Sequence, residues 1–387
     1  MEHLLNQNVK DIEISGIRQF FNLVSGKEDV VSLTIGQPDF TTPDHIKEAT
    51  KHALDENKTV YTPNAGILEL RQAIADYTQE RYQLQYDPND EIIVTAGASQ
   101  AIDISLRTIL EPGDDVLLPG PVYPGYEPLI RLAGANPVHI DTRDHEFKLT
   151  ADLIEANLTE KTKCIIMPYP SNPTGVSLSE KELHDISEVI KDHPIFILAD
   201  EIYSELTYKQ EHVSIAQFNQ IREQTIVIQG LSKSHSMTGF RIGYVLADRS
   251  IRQHMLKIHQ YNVSCATSIS QYAALEALTE GKHDSDVMRD AYAERRRYVI
   301  TRLQSMGVNV VEPEGAFYVF PKIQLENTTS FQLGLRLVDE AGLALVPGDA
   351  FSEYGQGYMR LSYAYSQEVL KEGLDRLEAF LNDNEHS

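Results

Sequence analysis

The chain has 387 residues, with 34 basic and 57 acidic side chains and a formal net charge of −23. This acidic excess argues against nucleic acid and anionic membranes as partners, because both attract clustered Lys and Arg. The only cysteines, Cys164 and Cys265, form no CxxC pair. No signal peptide or membrane-length apolar run is visible, so we expect a cytoplasmic protein with reduced thiols.

The middle of the chain alternates short apolar runs with segments of helical period. The predicted strands cover residues 91–95, 115–119, 137–141, 163–167, 195–200, 225–229 and 242–247. One intervening helix is expected over 99–110, with its apolar side chains on one face. Alternation of this kind predicts an α/β fold with a mainly parallel sheet, whose ligands bind beyond the carboxyl ends of the strands.

The C-terminal third has an α+β pattern instead. A charged helix over 284–306 is followed by predicted strands at 316–320, 344–346 and 358–362, a helix at 330–340 and a closing helix from residue 367. We therefore predict three parts. They are an arm over 1–35 that docks on the small domain or on a partner, a large domain over 36–283 and a small domain over 284–387.

The densest group of reactive side chains follows a predicted strand at 230–243, which reads GLSKSHSMTGFRIG. Lys233 lies among small hydroxyl residues, and Arg241 follows eight positions later. No GxxxxGK precedes the lysine, and Gly230 excludes a Ser-x-x-Lys motif. A lone lysine is usually a solvated turn residue. One placed at the ligand edge of a sheet beside anion-binding groups suits a Schiff base.

Three further loops carry polar groups to the same edge. Asp200 ends a buried strand, where a carboxylate needs a cation or hydrogen-bond donors; capping the next turn is its plainer interpretation. Asn172 precedes a proline, which also fits an ordinary turn. The 95–100 loop opens a helix whose free N–H groups bind anions, and Tyr123 offers an aromatic face. Together these groups match the aldehyde, pyridinium, phenolate and phosphate of pyridoxal 5'-phosphate.

Segment 230–243 resembles, position by position, the cofactor-lysine region of class I aminotransferases of fold type I. The likeness continues in family order at 33–40, 61–63, 171–175, 199–203 and 360–362. The resemblance implies a fold type I transferase dependent on pyridoxal phosphate. Its fold would be a mainly parallel seven-stranded sheet with helices on both faces, plus a smaller α+β domain. It also implies a ping-pong aminotransferase that exchanges amino groups between amino acids and 2-oxo acids.

The resemblance assigns roles to individual residues. Lys233 would hold the cofactor and move the substrate proton, Asp200 would keep the pyridine nitrogen protonated, and Tyr203 would bond the phenolate oxygen. Besides these three, the implied cofactor-binding residues are Ala98, Ser99, Gln100, Tyr123, Asn172, Ser232, Arg241 and Tyr61. Arg360 would clamp the substrate carboxylate, with Gly36 and Asn172 beside it. Tyr61 would reach the neighbouring subunit of a homodimer. No metal is implied.

In closer detail, segments 61–66, 232–239 and 259–265 resemble the N-acetyl-LL-diaminopimelate aminotransferases of bacterial lysine biosynthesis. This implies N-acetyl-LL-diaminopimelate as donor and 2-oxoglutarate as acceptor. An aromatic amino acid or aspartate aminotransferase and a C–S β-lyase of the same fold stay open as alternatives. A DNA-binding regulator is disfavoured, because only about 35 residues precede the first motif. Gly230 departs from relatives with a hydroxyl there, so we expect one fewer phosphate contact.

Overall fold

The computed structural model describes residues 1–24, 26–27 and 29–385. Its strands are β1 (Val31–Ser32), β2 (Ile92–Thr95), β3 (Asp115–Gly120), β4 (Asn136–Asp141), β5 (Thr162–Met167), β6 (Phe196–Asp200), β7 (Thr225–Gly230), β8 (Gly243–Leu246), β9 (Tyr318–Val319), β10 (Leu343–Ala344), β11 (Val346–Pro347) and β12 (Met359–Ser362).

Its α-helices follow the same chain order. They are α1 (Gln7–Lys10), α2 (Gly16–Val24), α3 (Asp44–Asp55), α4 (Leu68–Tyr82), α5 (Gly97–Ile109), α6 (Tyr126–Leu132), α7 (Ala151–Asn157), α8 (Glu180–Ile190), α9 (Leu231–Ser234), α10 (Arg249–Val263), α11 (Ser268–Thr279), α12 (Asp284–Ser305), α13 (Ser330–Ala341) and α14 (Gln367–Glu385). No helix of the described residues combines the length and apolar character needed to cross a bilayer.

The central sheet has seven strands in the order β2-β8-β7-β6-β5-β3-β4. Strand β8 is antiparallel to both of its neighbours, and the remaining pairs are parallel. All seven predicted strands are confirmed, each end within one residue of its predicted position. Most of them were readable because their residues are almost wholly buried, as the all-buried strand β7 illustrates, whereas the edge strand β4 is mostly half-buried.

Apolar layers cover both faces of this sheet. Neighbouring strand residues alternate between them: Ile165 and Ile197 pack into the layer that includes α4, α8 and α11, while Ile166 and Leu198 pack into the layer of α5 and α10. This alternation follows from the two-residue period of a strand. The predicted α/β architecture with helices on both sides is thereby confirmed.

The C-terminal elements form a smaller sheet, in which β12 lies between β11 and β9. Helices α12, α13 and α14 contribute to its apolar core. The predicted strand at 316–320 is shorter than expected, since only Tyr318–Val319 pair, and 344–346 is divided between β10 and β11. These strands are brief because each makes only two to four ladder pairs.

The N-terminal segment packs against these C-terminal elements. Strand β1, which the sequence analysis missed, pairs in parallel with β10. Phe20 and Val24 of α2 are buried with Val338 and Ala344. Burial of this kind is typical of a chain terminus that is tied to a fold. The division into an arm, a large domain and a small domain stays a prediction.

Candidate active site

A cavity of about 470 Å³ lies at the carboxyl edge of the central sheet. Residues at or just after the ends of β5, β6 and β7 line it, as do the start of α5 and residues 34–37 of the N-terminal segment. This is the edge at which ligands of parallel sheets bind. Every residue assigned to the site from the sequence lines the cavity except Tyr61 and Gln100.

Lys233 extends into this cavity from the short helix α9, directly after β7. Its Nζ donates a hydrogen bond to the carbonyl oxygen of Gly36. Burial of the amine, reinforced by the positive charges of Arg360 and Arg241, lowers the pKa of Lys233 to about 8. A larger fraction of the amine is therefore neutral near physiological pH than for a free lysine, as a nucleophile requires.

Asp200 ends β6 and is only 6% exposed. The hydroxyl of Tyr126 donates a 2.6 Å hydrogen bond to its Oδ2, and the amide of Ile202 donates to its Oδ1 at 3.3 Å. Burial raises the pKa of Asp200 to about 6, although both hydrogen bonds favour the charged form. A carboxylate in this environment gains from a cationic partner such as a protonated ring nitrogen.

An anion-binding corner lies at the N-terminus of α5. Ala98, Ser99, Ser232 and Arg241 line the cavity there. Arg241 donates to the carbonyl oxygen of Thr238 at 3.0 Å and forms no ion pair with an acid of the described residues. Free N–H groups at a helix N-terminus and an uncompensated guanidinium together suit a phosphate.

Two glycines make this corner possible. Gly97 has a φ of +78°, and a Cβ on it would lie 2.8 Å from Nη2 of Arg241. A Cβ on Gly243, in β8, would lie 2.8 Å from the backbone nitrogen of Ala98. Both separations are below normal contact, so any larger residue would displace either the guanidinium or the first turn of α5.

Arg360 contributes a second, buried guanidinium to the cavity lining. Its Nη1 donates to Oδ1 of Asn172 at 2.9 Å and its Nη2 to the carbonyl oxygen of Thr34 at 2.6 Å. Its Nε is buried without a hydrogen-bond partner, and no acid of the described residues pairs with it. A buried cation with spare donors is a site for a carboxylate.

Aromatic rings enclose the space between these polar groups. The hydroxyl of Tyr203 lies 2.9 Å from that of Tyr318, and both residues are buried. Tyr123 meets the ring of Tyr126 edge-on, with 5.5 Å between the ring centroids. Tyr123 therefore retains a face that is free of this contact and available to a flat ligand.

Two residues assigned from the sequence lie outside the cavity. The side chain of Gln100 closes its own loop, because its Oε1 accepts a 2.6 Å hydrogen bond from the amide of Ala96. Its Nε2 is buried without a hydrogen-bond partner, so only one end of the side-chain amide is used within the loop. Tyr61 is 86% exposed, so within this chain it contacts no part of the cavity.

The lining residues that sequence reasoning missed include Thr34, Tyr126 and Tyr318, each of which makes a polar contact with an assigned site residue. Thr34 acts through its carbonyl oxygen, which leaves no mark in a sequence. Tyr126 begins α6, three residues after Tyr123, so its place just after a strand was a usable signal. Tyr318 lies opposite Ser362 in the β9–β12 pair, and only that pairing brings it near Arg360.

The residues present fit pyridoxal 5'-phosphate. Three cations line the cavity, namely Lys233, Arg241 and Arg360, and Asp200 is the acid among the lining residues. The unpaired Nε of Arg360 and the open helix N-terminus are groups that a bound anion would satisfy. The cavity therefore offers separate places for a phosphate, a ring nitrogen and a carboxylate.

Comparison with known proteins finds relatives along nearly the whole chain. The family described as Aminotransferase class I and II matches residues 28–377. A Bacillus subtilis protein described as a probable N-acetyl-LL-diaminopimelate aminotransferase is 61% identical over 98% of this chain and 96% of its own. An aspartate aminotransferase of Pyrococcus abyssi is 42% identical over 95% and 96% of the two chains. The crystal structure of an aromatic aminotransferase from Pyrococcus horikoshii has a TM-score of 0.90 at 40% identity, covering 95% of this chain and 99% of that one.

Proposed function

Since the chain belongs to the class I and II aminotransferases, enzymes that use pyridoxal 5'-phosphate, we propose that its donor is N-acetyl-LL-diaminopimelate and its acceptor 2-oxoglutarate. The reaction would be a step of lysine biosynthesis in the cytoplasm. The observation that carries the donor assignment is the 61% identity to the Bacillus subtilis relative. Relatives described as acting on aspartate or aromatic amino acids are less similar, at 42% and 39%.

Three residues would act on the cofactor ring and on the substrate proton. When bound, pyridoxal phosphate supplies an aldehyde that captures amino groups and a ring that accepts electrons from the substrate Cα. Asp200 would keep the ring nitrogen protonated, and its carboxylate is favoured by the 2.6 Å bond from Tyr126. Lys233, whose pKa is lowered to about 8, would take the proton from Cα. Tyr203 and Asn172 would donate to the phenolate oxygen, while Tyr123 covers the ring.

The phosphate and the substrate carboxylate would bind at opposite ends of the cavity. The N–H groups of Ala98, Ser99 and Gln100 would hold the phosphate, with Ser232 and Arg241. Gly230 contributes no hydroxyl, so this cradle has one fewer side-chain donor than it would with Ser or Thr there. Arg360 would hold the α-carboxylate as a two-pronged donor, beside Gly36 and Asn172.

Aminotransferases of this family take amino acids and 2-oxo acids as substrates and are typically dimeric. We extend this to a homodimer in which Tyr61 of one subunit reaches the phosphate bound by the other. The 86% exposure of Tyr61 supports the proposal, because a large aromatic side chain is seldom left in water without a contact to make.

A panel of amino donors tests the substrate assignment. The holoenzyme is mixed with each donor in the absence of acceptor, and the loss of cofactor absorbance is followed in a single turnover. We expect N-acetyl-LL-diaminopimelate to react fastest and its 2-oxo product to leave before acceptor is added, as ping-pong kinetics requires. The catalytically silent Lys233→Ala protein is the control for signals that arise from binding alone.

Other outcomes of the panel identify other enzymes. Faster reaction with tyrosine or with aspartate would overturn the proposed donor and assign the enzyme to aromatic amino acids or to aspartate. Release of pyruvate and a thiol from cystathionine, without need of an acceptor, would instead indicate a C–S β-lyase.

A further inference from the structure

The side chain of Tyr318 touches two groups of the site that are assigned to different ligands. It is 1% exposed and lines the cavity from strand β9 of the smaller sheet. Its ring lies against the guanidinium of Arg360, and its hydroxyl lies 2.9 Å from that of Tyr203. One residue therefore contacts both the carboxylate-binding cation and the phenolate-binding hydroxyl.

The ring of Tyr318 fixes the plane of the Arg360 guanidinium. The guanidinium carbon lies 4.4 Å from the ring centroid, within the range of a cation–π interaction. Asn172 and Thr34 accept from the two terminal nitrogens, and a second ring, that of Phe351, lies farther away, with its centroid 5.2 Å from the guanidinium carbon. Because β9 and β12 are paired, the ring and the guanidinium extend from one rigid ladder. The Nε of Arg360 is buried without a hydrogen-bond partner.

The hydroxyl of Tyr318 is the hydrogen-bond partner of the Tyr203 hydroxyl. If Tyr203 donates its proton to a phenolate, its oxygen is left to accept, and Tyr318 is placed to donate to it. Donors in a chain polarise one another, so this bond strengthens the donation by Tyr203. A Cβ on Gly36 would lie 2.9 Å from the Tyr318 hydroxyl, so the glycine at this position leaves room for that oxygen.

We propose that Tyr318 is a positioning residue with two separable actions: its ring orients Arg360 toward the substrate carboxylate, and its hydroxyl strengthens the hydrogen bond that Tyr203 gives to the cofactor. The inference rests on the roles proposed above for Arg360 and Tyr203. It predicts that removing the hydroxyl and removing the ring have different consequences.

Two variants of the holoenzyme separate the two actions. Tyr318→Phe keeps the ring, so the Kd for 2-oxoglutarate bound to the aldehyde form should stay within about twofold of wild type. The pH midpoint of its visible-absorbance titration should rise by a few tenths of a unit, because a weaker donor to the phenolate disfavours the deprotonated cofactor. Tyr318→Leu removes the ring as well as the hydroxyl. It should therefore shift the midpoint in the same direction and, in addition, raise the Kd for 2-oxoglutarate roughly tenfold.

Controls distinguish this inference from the proposed function. Tyr358→Phe alters a tyrosine that directly precedes β12, bridges to Lys322 and stacks on Phe320 outside the cavity lining, and it should change neither measurement. Arg360→Lys should weaken 2-oxoglutarate binding; if it does not, the carboxylate role of Arg360 and the ring action of Tyr318 both fail.

With that control satisfied, either of two results overturns the inference. One is a Tyr318→Phe titration identical to wild type. The other is a Tyr318→Phe protein in which the Kd and the midpoint shift together, as general loosening of the site would cause. A Kd unchanged from wild type in Tyr318→Leu would overturn the action of the ring; if that variant does not fold, Tyr318→Phe still tests the action of the hydroxyl.

Discussion

The hydroxyl of Tyr126 donates a 2.6 Å hydrogen bond to Oδ2 of Asp200, and both side chains are buried. Two opposing effects meet at this carboxyl group. Burial raises its pKa to about 6, while the tyrosine hydrogen bond favours the charged form. Without the cofactor, the pKa of Asp200 is therefore only slightly below neutral pH. The hydrogen bond from Tyr126 favours the ionised carboxylate over the protonated acid.

Replacing this donor should shift the titration of Asp200. In Tyr126→Phe the pKa of Asp200 should rise by roughly one to two pH units, since a hydrogen bond to a charged group contributes about 1.5–3 kcal/mol. When the solution is acidified, the affinity of the apoenzyme for pyridoxal phosphate should fall as Asp200 is protonated. This fall should occur at a higher pH in Tyr126→Phe than in wild type. Fluorescence titrations between pH 5 and 8 measure the midpoint. Tyr169→Phe, another buried tyrosine, is the control, and an unchanged midpoint in Tyr126→Phe would contradict the assignment.

The same carboxyl group should destabilise the apoenzyme. Its folded pKa is raised from 3.8 to about 6, so folding favours the protonated form. Stability is therefore highest below the unfolded pKa and falls as pH rises toward 6, by about 3 kcal/mol in total. Asp200→Asn cannot ionise, and its apoprotein should be more stable than wild type at pH 7 by up to that amount.

Urea unfolding of the apoproteins at several pH values checks this sign. The difference in free energy of unfolding between Asp200→Asn and wild type should decrease steadily as the pH falls below 6. Asp375→Asn should have the opposite effect and lower the free energy of unfolding at pH 7. Hydrogen bonds from Lys371 and Arg302 lower the pKa of Asp375, so its charged form stabilises the fold. A variant Asp200→Asn that is less stable than wild type at pH 7 would show that the carboxylate is compensated in the apoprotein.

Gly243 should control cofactor affinity through the position of α5. A Cβ there would lie 2.8 Å from the backbone nitrogen of Ala98, so Gly243→Ala must move the first turn of the helix. We expect the Kd for pyridoxal phosphate to rise roughly tenfold or more, as for an overpacked site. Gly239→Ala is the matched control in the same segment, because nothing lies within 4 Å of its Cβ position. Equal losses in both variants would refute the steric explanation.

Arg360 should accelerate capture of the cofactor by Lys233. Its positive charge is second only to burial in lowering the pKa of the lysine to about 8. In Arg360→Gln that pKa rises, so less neutral amine is present at pH 7 and reconstitution from apoenzyme should slow several-fold. The two proteins should converge at higher pH, where both amines are neutral.

Stopped-flow absorbance at pH 6.5 to 9.5 measures these reconstitution rates. Arg302→Gln is the control, since that arginine pairs with Asp375 and Glu378 and lies outside the cavity lining. If Arg360→Gln slows reconstitution by the same factor at every pH, the arginine does not act by lowering the pKa of the lysine.

Hybrid dimers test whether Tyr61 acts in the neighbouring subunit. Tyr61→Ala and Lys233→Ala homodimers should each be nearly inactive. After the two are denatured together and refolded, a hybrid holds one site with both changes and one with neither. Random pairing then restores about a quarter of wild-type activity. If Tyr61 serves its own subunit, every hybrid site is damaged and the mixture stays inactive.

The sequence predicted what repeating patterns encode. Buried strands such as β6 and β7 stand out because their apolar runs end in Asp200 or Gly230. The lining residues that were assigned from the sequence were found because each follows a strand or belongs to a family motif. Strand β1 was missed because a two-residue pairing has no period to detect.

Contacts between segments that are far apart in the chain could not be predicted from the sequence. The carbonyl of Thr34 and the ring of Tyr318 serve Arg360 only through tertiary geometry. For Gln100 the family pattern located the right loop but not the direction of its side chain, which bonds Ala96 instead. Both cases concern where a group points, and packing decides that rather than residue type.

The guanidinium of Arg360 donates hydrogen bonds to Thr34 and Asn172, which precede it in the sequence by 326 and 188 residues. During synthesis, Lys233 and the N-terminus of α5 leave the ribosome well before Arg360. A chain that ends before residue 360 would lack the cation to which the substrate carboxylate is proposed to bind, and it would also lack the charge that helps lower the pKa of Lys233. On the proposed roles, the site is therefore complete only when translation is nearly finished.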